Sequence, residues 1–202
     1  MKKNIYGLFL TVFLGISSLM VINICNGETT QKGSISKLKT ISESEVKIIQ
    51  NNAKQGDAIA QYNLGVMYAN GRGAIQNDKQ AAHWYELAAK QGDAMAQNNL
   101  GVMYDNGQGV IQNDKQAVYW YELAAKQGDA MAQYNLGVMY ANGQGVLKDY
   151  KLANMWALLA KYNGNTSNGL SSFLDKKMSQ QQKESSQEMA QTCLNSKYLK
   201  CI

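Results

Sequence analysis

A fixed period of 36 residues constrains this chain more than any other feature. Gly56–Gln91 and Gly92–Gln127 differ at only seven of 36 positions, and Gly128–Asn163 keeps GDAMAQYNLGVMYANGQGV before it diverges. A unit this short cannot bury its aromatic side chains alone, so copies must stack, each supplying a wall for the next. The chain has no proline, so no helix interior carries a residue that lacks an amide donor and clashes with the preceding turn.

Each unit reads as two helices. The first spans about Asp57 to Asn70, with Ala60, Leu64, Met67 and Tyr68 on one stripe at about 100° per residue. Asn70-Gly71 predicts a left-handed end to it, and Gly73 keeps the following loop tight. The second helix begins near Asn77-Asp78, where a short side chain caps free amides; its apolar positions are Ala81, Trp84, Tyr85 and Ala88. Ala60, Gly65 and Ala88 let neighbouring backbones approach, and Tyr68 and Trp84 fill the space between hairpins. The same residues recur as Gly101, Tyr104 and Trp120, and as Gly137, Tyr140 and Trp156. The expected fold class is all-α, a solenoid of helical hairpins with repeats at 57–92, 93–128 and 129–164.

The flanks differ from the repeats, as the ends of a stacked array must. Residues 43–56 read as a second helix without its partner, an N-terminal cap. In the C-terminal cap, 165–202, a weak helix is expected over about Ser167 to Lys177. Ser179 and Gln182 then form a capping-box signature that opens a closing helix to about Leu194. Residues 28–42 read as a linker of little structure.

The N-terminus carries a basic start, Met1-Lys2-Lys3-Asn4, an uncharged run Ile5 to Ile24, and Cys25-Asn26-Gly27. That order is the pattern of a secretory signal peptide, 1–27, cut before Glu28. The run of about 20 residues also suffices for an uncleaved span, and a lipidated Cys25 is a third reading, against which the bulky Ile24 counts. All three place the remainder outside the cytoplasm, periplasmic or secreted.

The run Ala60-Gln61-Tyr62-Asn63-Leu64-Gly65-Val66-Met67-Tyr68, then Asn70-Gly71-Arg72-Gly73, then Ala81-Ala82-His83-Trp84-Tyr85 and Ala88-Ala89 resembles the Sel1-like repeat, a relative of the tetratricopeptide repeat. The resemblance implies an α/α superhelix whose concave face serves as a scaffold or adaptor for a protein partner, commonly in exported bacterial proteins. A cysteine-rich branch of that family has been linked to β-lactam binding or hydrolysis. Its cysteine pair in each repeat is missing here, the corresponding positions holding residues such as Ala89 and Gln97, so that activity is not carried over. The same branch uses the spacing of Cys193 and Cys201 to join a helix end to the next segment. Outside a reducing compartment such a pair oxidises, and a loop this short stabilises by about 2–3 kcal/mol. A disulfide stapling the C-terminal cap is therefore expected.

Other function classes find little support. The formal net charge is +5, yet Asp57 to Asn163 holds eight Lys and Arg against nine Asp and Glu, without the basic stripe that a nucleic-acid partner needs. His83 is the only histidine, and its equivalents are Tyr119 and Met155, so it reads as an exposed helix residue rather than a base. Asp57, Asp93 and Asp129 read as helix caps, and Met67, Met103 and Met139 as packing. The glycines at 71 and 73 do not form a phosphate-binding loop. No catalytic group, metal or cofactor is expected. Two rival functions remain: an enzyme acting on β-lactams or cell-wall peptides, and an envelope component anchored by an uncleaved Ile5–Ile24.

Columns that vary between copies are not needed for stacking. In the first helix they are Ile59/Met95/Met131, Tyr62/Asn98/Tyr134 and Ala69/Asp105/Ala141. They fall within about 80° of one another, opposite the Ala60-Leu64-Tyr68 stripe, with Val66, Val102 and Val138 in the same sector. This predicts a solvent-facing strip in which Tyr62, Val66, Asn98, Val102, Asp105, Tyr134 and Val138 contact a partner, tyrosine and methionine being enriched in interface cores.

Overall fold

The computed structural model describes residues 41–201, and within them nine α-helices and no strand. Helix α1 (Glu43–Lys54) precedes three hairpins. These are α2 (Ala58–Asn70) with α3 (Asp78–Lys90), α4 (Ala94–Asn106) with α5 (Asp114–Ala125), and α6 (Ala130–Asn142) with α7 (Tyr150–Tyr162). Two further helices follow, α8 (Gly169–Asp175) and α9 (Gln180–Asn195). From α1 to α8 each helix packs on the next, and α9 folds back onto α7, giving an all-α repeat solenoid. The signal-peptide reading and the linker up to residue 40 lie outside the described residues. Among the described residues no helix is long and apolar enough to cross a membrane.

Local chemistry sets the helix ends. Asp57, Asp93 and Asp129 each accept the amide three residues on, at 2.6, 2.7 and 2.7 Å, and Gly71, Gly107 and Gly143 close the first helices in the left-handed region. Asn77, Asn113 and Asp149 cap the second helices. Two expectations change. Ser42 is not the tail of a structureless linker: it opens α1 through a capping box, accepting the Glu45 amide while its own amide donates to the Glu45 carboxylate at 2.8 Å. The helix expected over Ser167 to Lys177 shrinks to Gly169–Asp175, because Asn168 supplies no capping side chain and the Asn165 amide oxygen holds the Ser167 amide in the approach loop.

Packing repeats with the sequence. Trp84 packs against the cluster of Ala53, Ala60, Leu64 and Met67, and Trp120 belongs to the cluster of Ala88, Ala96 and Leu100. Each second-helix tryptophan thus reaches back to its own first helix and the preceding second helix. Tyr85 and Tyr121 lie over Gly65 and Gly101, where a Cβ would meet the ring at 2.6 and 2.7 Å. The third repeat carries Ala157 in the tyrosine column, and there a Cβ on Gly137 would instead meet Leu170 at 2.9 Å. Leu170 of α8 takes over as the cover, and α9 buries Met155, the equivalent of the exposed His83 and Tyr119. Sequence drift in the third copy is therefore adaptation to the cap.

A buried amide ladder runs through the array. Gln61, Gln97 and Gln133 donate to the carbonyls of Ala53, Ala89 and Ala125 at 3.1, 3.0 and 3.0 Å. Their own oxygens accept from Gln91, Gln127 and Asn163 at 2.7, 2.8 and 2.9 Å. Each rung ties consecutive units and satisfies groups that would be costly to bury alone. Ala89 and Gln97, which the resemblance sets against the cysteine pair of a cysteine-rich branch, are bridged here by a hydrogen bond. Cys193 and Cys201 form a disulfide with Cα atoms 4.4 Å apart. It closes the loop that brings the Tyr198 hydroxyl to Asn163, which donates to it at 2.6 Å, so the C-terminal staple meets the end of the ladder.

Candidate partner-binding face

The first helices α2, α4 and α6 carry apolar residues around most of their circumference. A helix of that kind is held between neighbours rather than lying on a surface. This corrects the expectation of a solvent-facing strip for its tyrosine and valine columns, while its Ile59/Met95/Met131 column is exposed. Tyr62 and Val66 are half-buried against the cluster containing Ala81, Tyr85 and Leu100, the Tyr62 and Tyr85 rings standing 5.9 Å apart. Val102, Tyr134 and Val138 are half-buried against the next cluster, and the Tyr134 hydroxyl lies 3.8 Å from where a Cβ on Gly169 would stand. Asn98 bridges two repeats, its side-chain oxygen accepting from Asn135 at 3.2 Å.

What remains open along these helices is the neighbouring column: Ile59, Met95 and Met131 are 67%, 52% and 54% exposed. The face is therefore an exposed aliphatic and thioether row on a half-buried bed of tyrosine, valine and asparagine. It offers apolar contact together with amide and phenol groups.

Asp105 stands apart as a half-buried carboxylate in the last turn of α4, at a position that is alanine in the other two copies. Burial raises its pKa above the ordinary carboxylate value, and the Asp114 charge adds to the rise. A raised folded-state pKa means that the folded chain binds this proton more tightly than the unfolded chain. Stability from this group is thus present below the ordinary carboxylate range and is lost as pH rises through it. Asp105→Ala is expected to raise stability at pH 7 by up to about 0.5 kcal/mol, and to give no gain at pH 3. Paired thermal melts at the two pH values check this, and a gain of equal size at both contradicts it.

The phenol of Tyr85 is pushed up to about 12, first by burial. His83 is exposed and packs edge-on to Trp84, ring centroids 5.3 Å apart. Among the described residues no three His, Cys, Asp or Glu side chains gather as metal ligands would. Two features escaped the sequence reading. The glutamines of the ladder look like surface residues on a helix. The loop residues Ile75, Ile111 and Leu147 are large, aliphatic and exposed; their recurrence at 36-residue spacing was the available signal.

Comparison with known proteins agrees with this architecture. The Sel1 repeat profile matches residues 58–93, 94–129 and 130–165. The crystal structure of a Sel1 repeat protein from Oxalobacter formigenes is similar at 39% identity and a TM-score of 0.58, over 65% of this chain and 98% of that one. A protective antigen present in uropathogenic Escherichia coli strains, displaying an SLR fold, is similar at 30% identity and a TM-score of 0.65. That match covers 77% of this chain but only 34% of the antigen. No curated protein matches the chain.

Proposed function

The chain belongs to the Sel1 repeat family, and from that premise we propose that it is an exported scaffold holding a protein partner along its first helices. Repeats of this family generally mediate protein–protein interaction and are generally not catalytic. The observation that carries the assignment of the face is the exposed row Ile59, Met95 and Met131, above Tyr62, Val66, Asn98, Val102, Asp105, Tyr134 and Val138. An interface needs an apolar centre with a few polar groups that fix orientation, and this row with its bed provides both. Export to the periplasm or beyond is the companion proposal; a disulfide is compatible with a non-reducing compartment.

Tyr62 and Tyr134 are poor probes because their rings pack on the core. The exposed row can be changed without that cost. The variant Ile59→Ser, Met95→Ser, Met131→Ser is expected to melt within about 2 °C of the parent, since substitutions at open surface positions are nearly neutral. It should also lose most of the partner recovered after crosslinking in the exported compartment. Undiminished recovery by a folded variant would contradict the assignment.

A further inference from the structure

An asparagine followed by glycine is prone to close on itself, because glycine has no side chain to keep its backbone nitrogen away from the asparagine Cγ. The pair occurs here at Asn26, Asn70, Asn106, Asn142, Asn163 and Asn168, all but the first among the described residues. Ring closure needs a glycine amide free to give up its proton, an asparagine side chain free to turn, and access for water. The fold withholds these at every described pair but one.

At the ends of α2 and α4 both reacting groups are tied. The Gly71 and Gly107 amides donate to the Met67 and Met103 carbonyls, and the Asn70 and Asn106 side chains donate to the Val66 and Val102 carbonyls, each at 3.0 Å. At the end of α6 the Gly143 amide donates to the Met139 carbonyl at 2.8 Å and the Asn142 side chain to that of Gln144 at 2.9 Å. After α7 the Gly164 amide donates to the Lys161 carbonyl at 3.2 Å, while Asn163 donates to Gln133 and to the Tyr198 hydroxyl at 2.9 and 2.6 Å. Asn168 and Gly169 differ. Both are exposed, and among the described residues no hydrogen bond holds the Asn168 side chain or the Gly169 amide. The bond that this peptide does make acts in the same direction. Its carbonyl accepts the Ser172 amide at 3.0 Å, which polarises the peptide and makes the Gly169 N–H more acidic.

We propose that Asn168 is a modification site, the described Asn-Gly pair at which the folded chain deamidates, and that the product loosens α8. The Gly169 nitrogen loses its proton to solvent and attacks Asn168 Cγ. The new N–Cγ bond closes a cyclic imide, the Cγ–Nδ2 bond breaks, and Nδ2 leaves as ammonia with a proton from solvent. Water then opens the imide at either of its carbonyls. One opening gives aspartate. The other gives isoaspartate, in which the backbone runs through Cβ and Cγ and is longer by a methylene. That insertion falls between Asn165, whose side chain holds the Ser167 amide at 2.8 Å, and Leu170, which sits against Gly137 of α6. Close-packed contacts do not absorb an extra methylene without displacement, so Leu170 shifts on α6.

The test is peptide mapping by mass spectrometry of the folded full chain aged in mildly alkaline buffer, scored by the exchange of NH for O in mass. The Asn168 peptide should convert about tenfold faster than those of Asn70, Asn106, Asn142 and Asn163, where hydrogen bonds of ordinary net strength must break first. In concentrated urea the rates should draw together, since the dipeptide is the same throughout. Gly169→Ala places a Cβ 3.8 Å from the Tyr134 hydroxyl, an ordinary contact, so this variant should keep the near-ultraviolet circular dichroism of the parent and lose the lead. In the isoaspartate fraction, hydrogen exchange of the α8 amides should speed up while that of α2 to α5 stays as in the parent. Equal rates in the folded chain, a lead that persists undiminished in urea or in Gly169→Ala, or α8 exchange unchanged in the isoaspartate fraction would overturn the proposal.

Discussion

Replacing Gly109 by alanine is expected to cost roughly 3–5 kcal/mol, the class of effect reserved for a backbone clash that cannot relax locally. Gly109 has φ +68°, and a Cβ there would overlap the Asp78 carbonyl and stand 2.8 Å from the Lys79 amide nitrogen. Both obstacles are backbone at the start of α3, so only separation of the two repeats would make room. Gly145 meets Asp114 in the same way at 2.5 Å, so the contact belongs to the stacking itself. Gly92 supplies the control. It has φ +96° and nothing within 4 Å of a Cβ, so alanine there should cost only the left-handed penalty of about 1–2 kcal/mol. Urea melts of the two variants separate these cases. Equal losses would show that strain at a single residue, not contact between repeats, governs this loop.

The second large effect is expected at Trp156, which is fully buried in the cluster shared by α5, α6 and α7 with the closing helices. Trp156→Ala should cost about 3–5 kcal/mol through lost burial and the cavity left behind. Trp156→Phe should cost under about 1.5 kcal/mol, far less than its lost volume suggests. The reason is that the indole N–H of Trp156, like those of Trp84 and Trp120, is buried without an acceptor among the described residues. Removing an orphan donor relieves a penalty of about 1–3 kcal/mol, which offsets the smaller ring. Urea midpoints give the comparison, and hydrogen exchange of the alanine variant should show α7 and α9 opening first, since a repeat array couples mainly to its neighbours. A phenylalanine variant as unstable as the alanine one would mean that the indole N–H is satisfied.

Local features of this fold were legible because their causes are local. Asp57, Gly71 and Asn77 act on amides and carbonyls within a few residues, so cap and stop could be read from the chain directly. The stacking residues were legible because three copies repeat them. The amide ladder was not, since its partners sit 30 residues apart, and a glutamine on a helix usually means solvent. The half-burial of Tyr62 and Tyr134 was missed for a related reason. The Ala60-Leu64-Tyr68 stripe reads as the core face, although Val66 and Tyr62 make a second stripe on the same helix, the pattern of an element held between neighbours. Ala157 could have announced the cap: where the repeat gives up a tyrosine, another element must fill the space, and Leu170 does.

The proposal that the first helices carry the partner is tested most directly by site-specific photocrosslinking in cells that produce the full chain. A benzophenone side chain at Met95 or Met131 sits on the exposed row, and one at Tyr119, 51% exposed on α5, samples a second helix. A protein adduct of one discrete mass from positions 95 and 131, and none from 119, is the expected result. An adduct from 119 with none from 95 or 131 would contradict it.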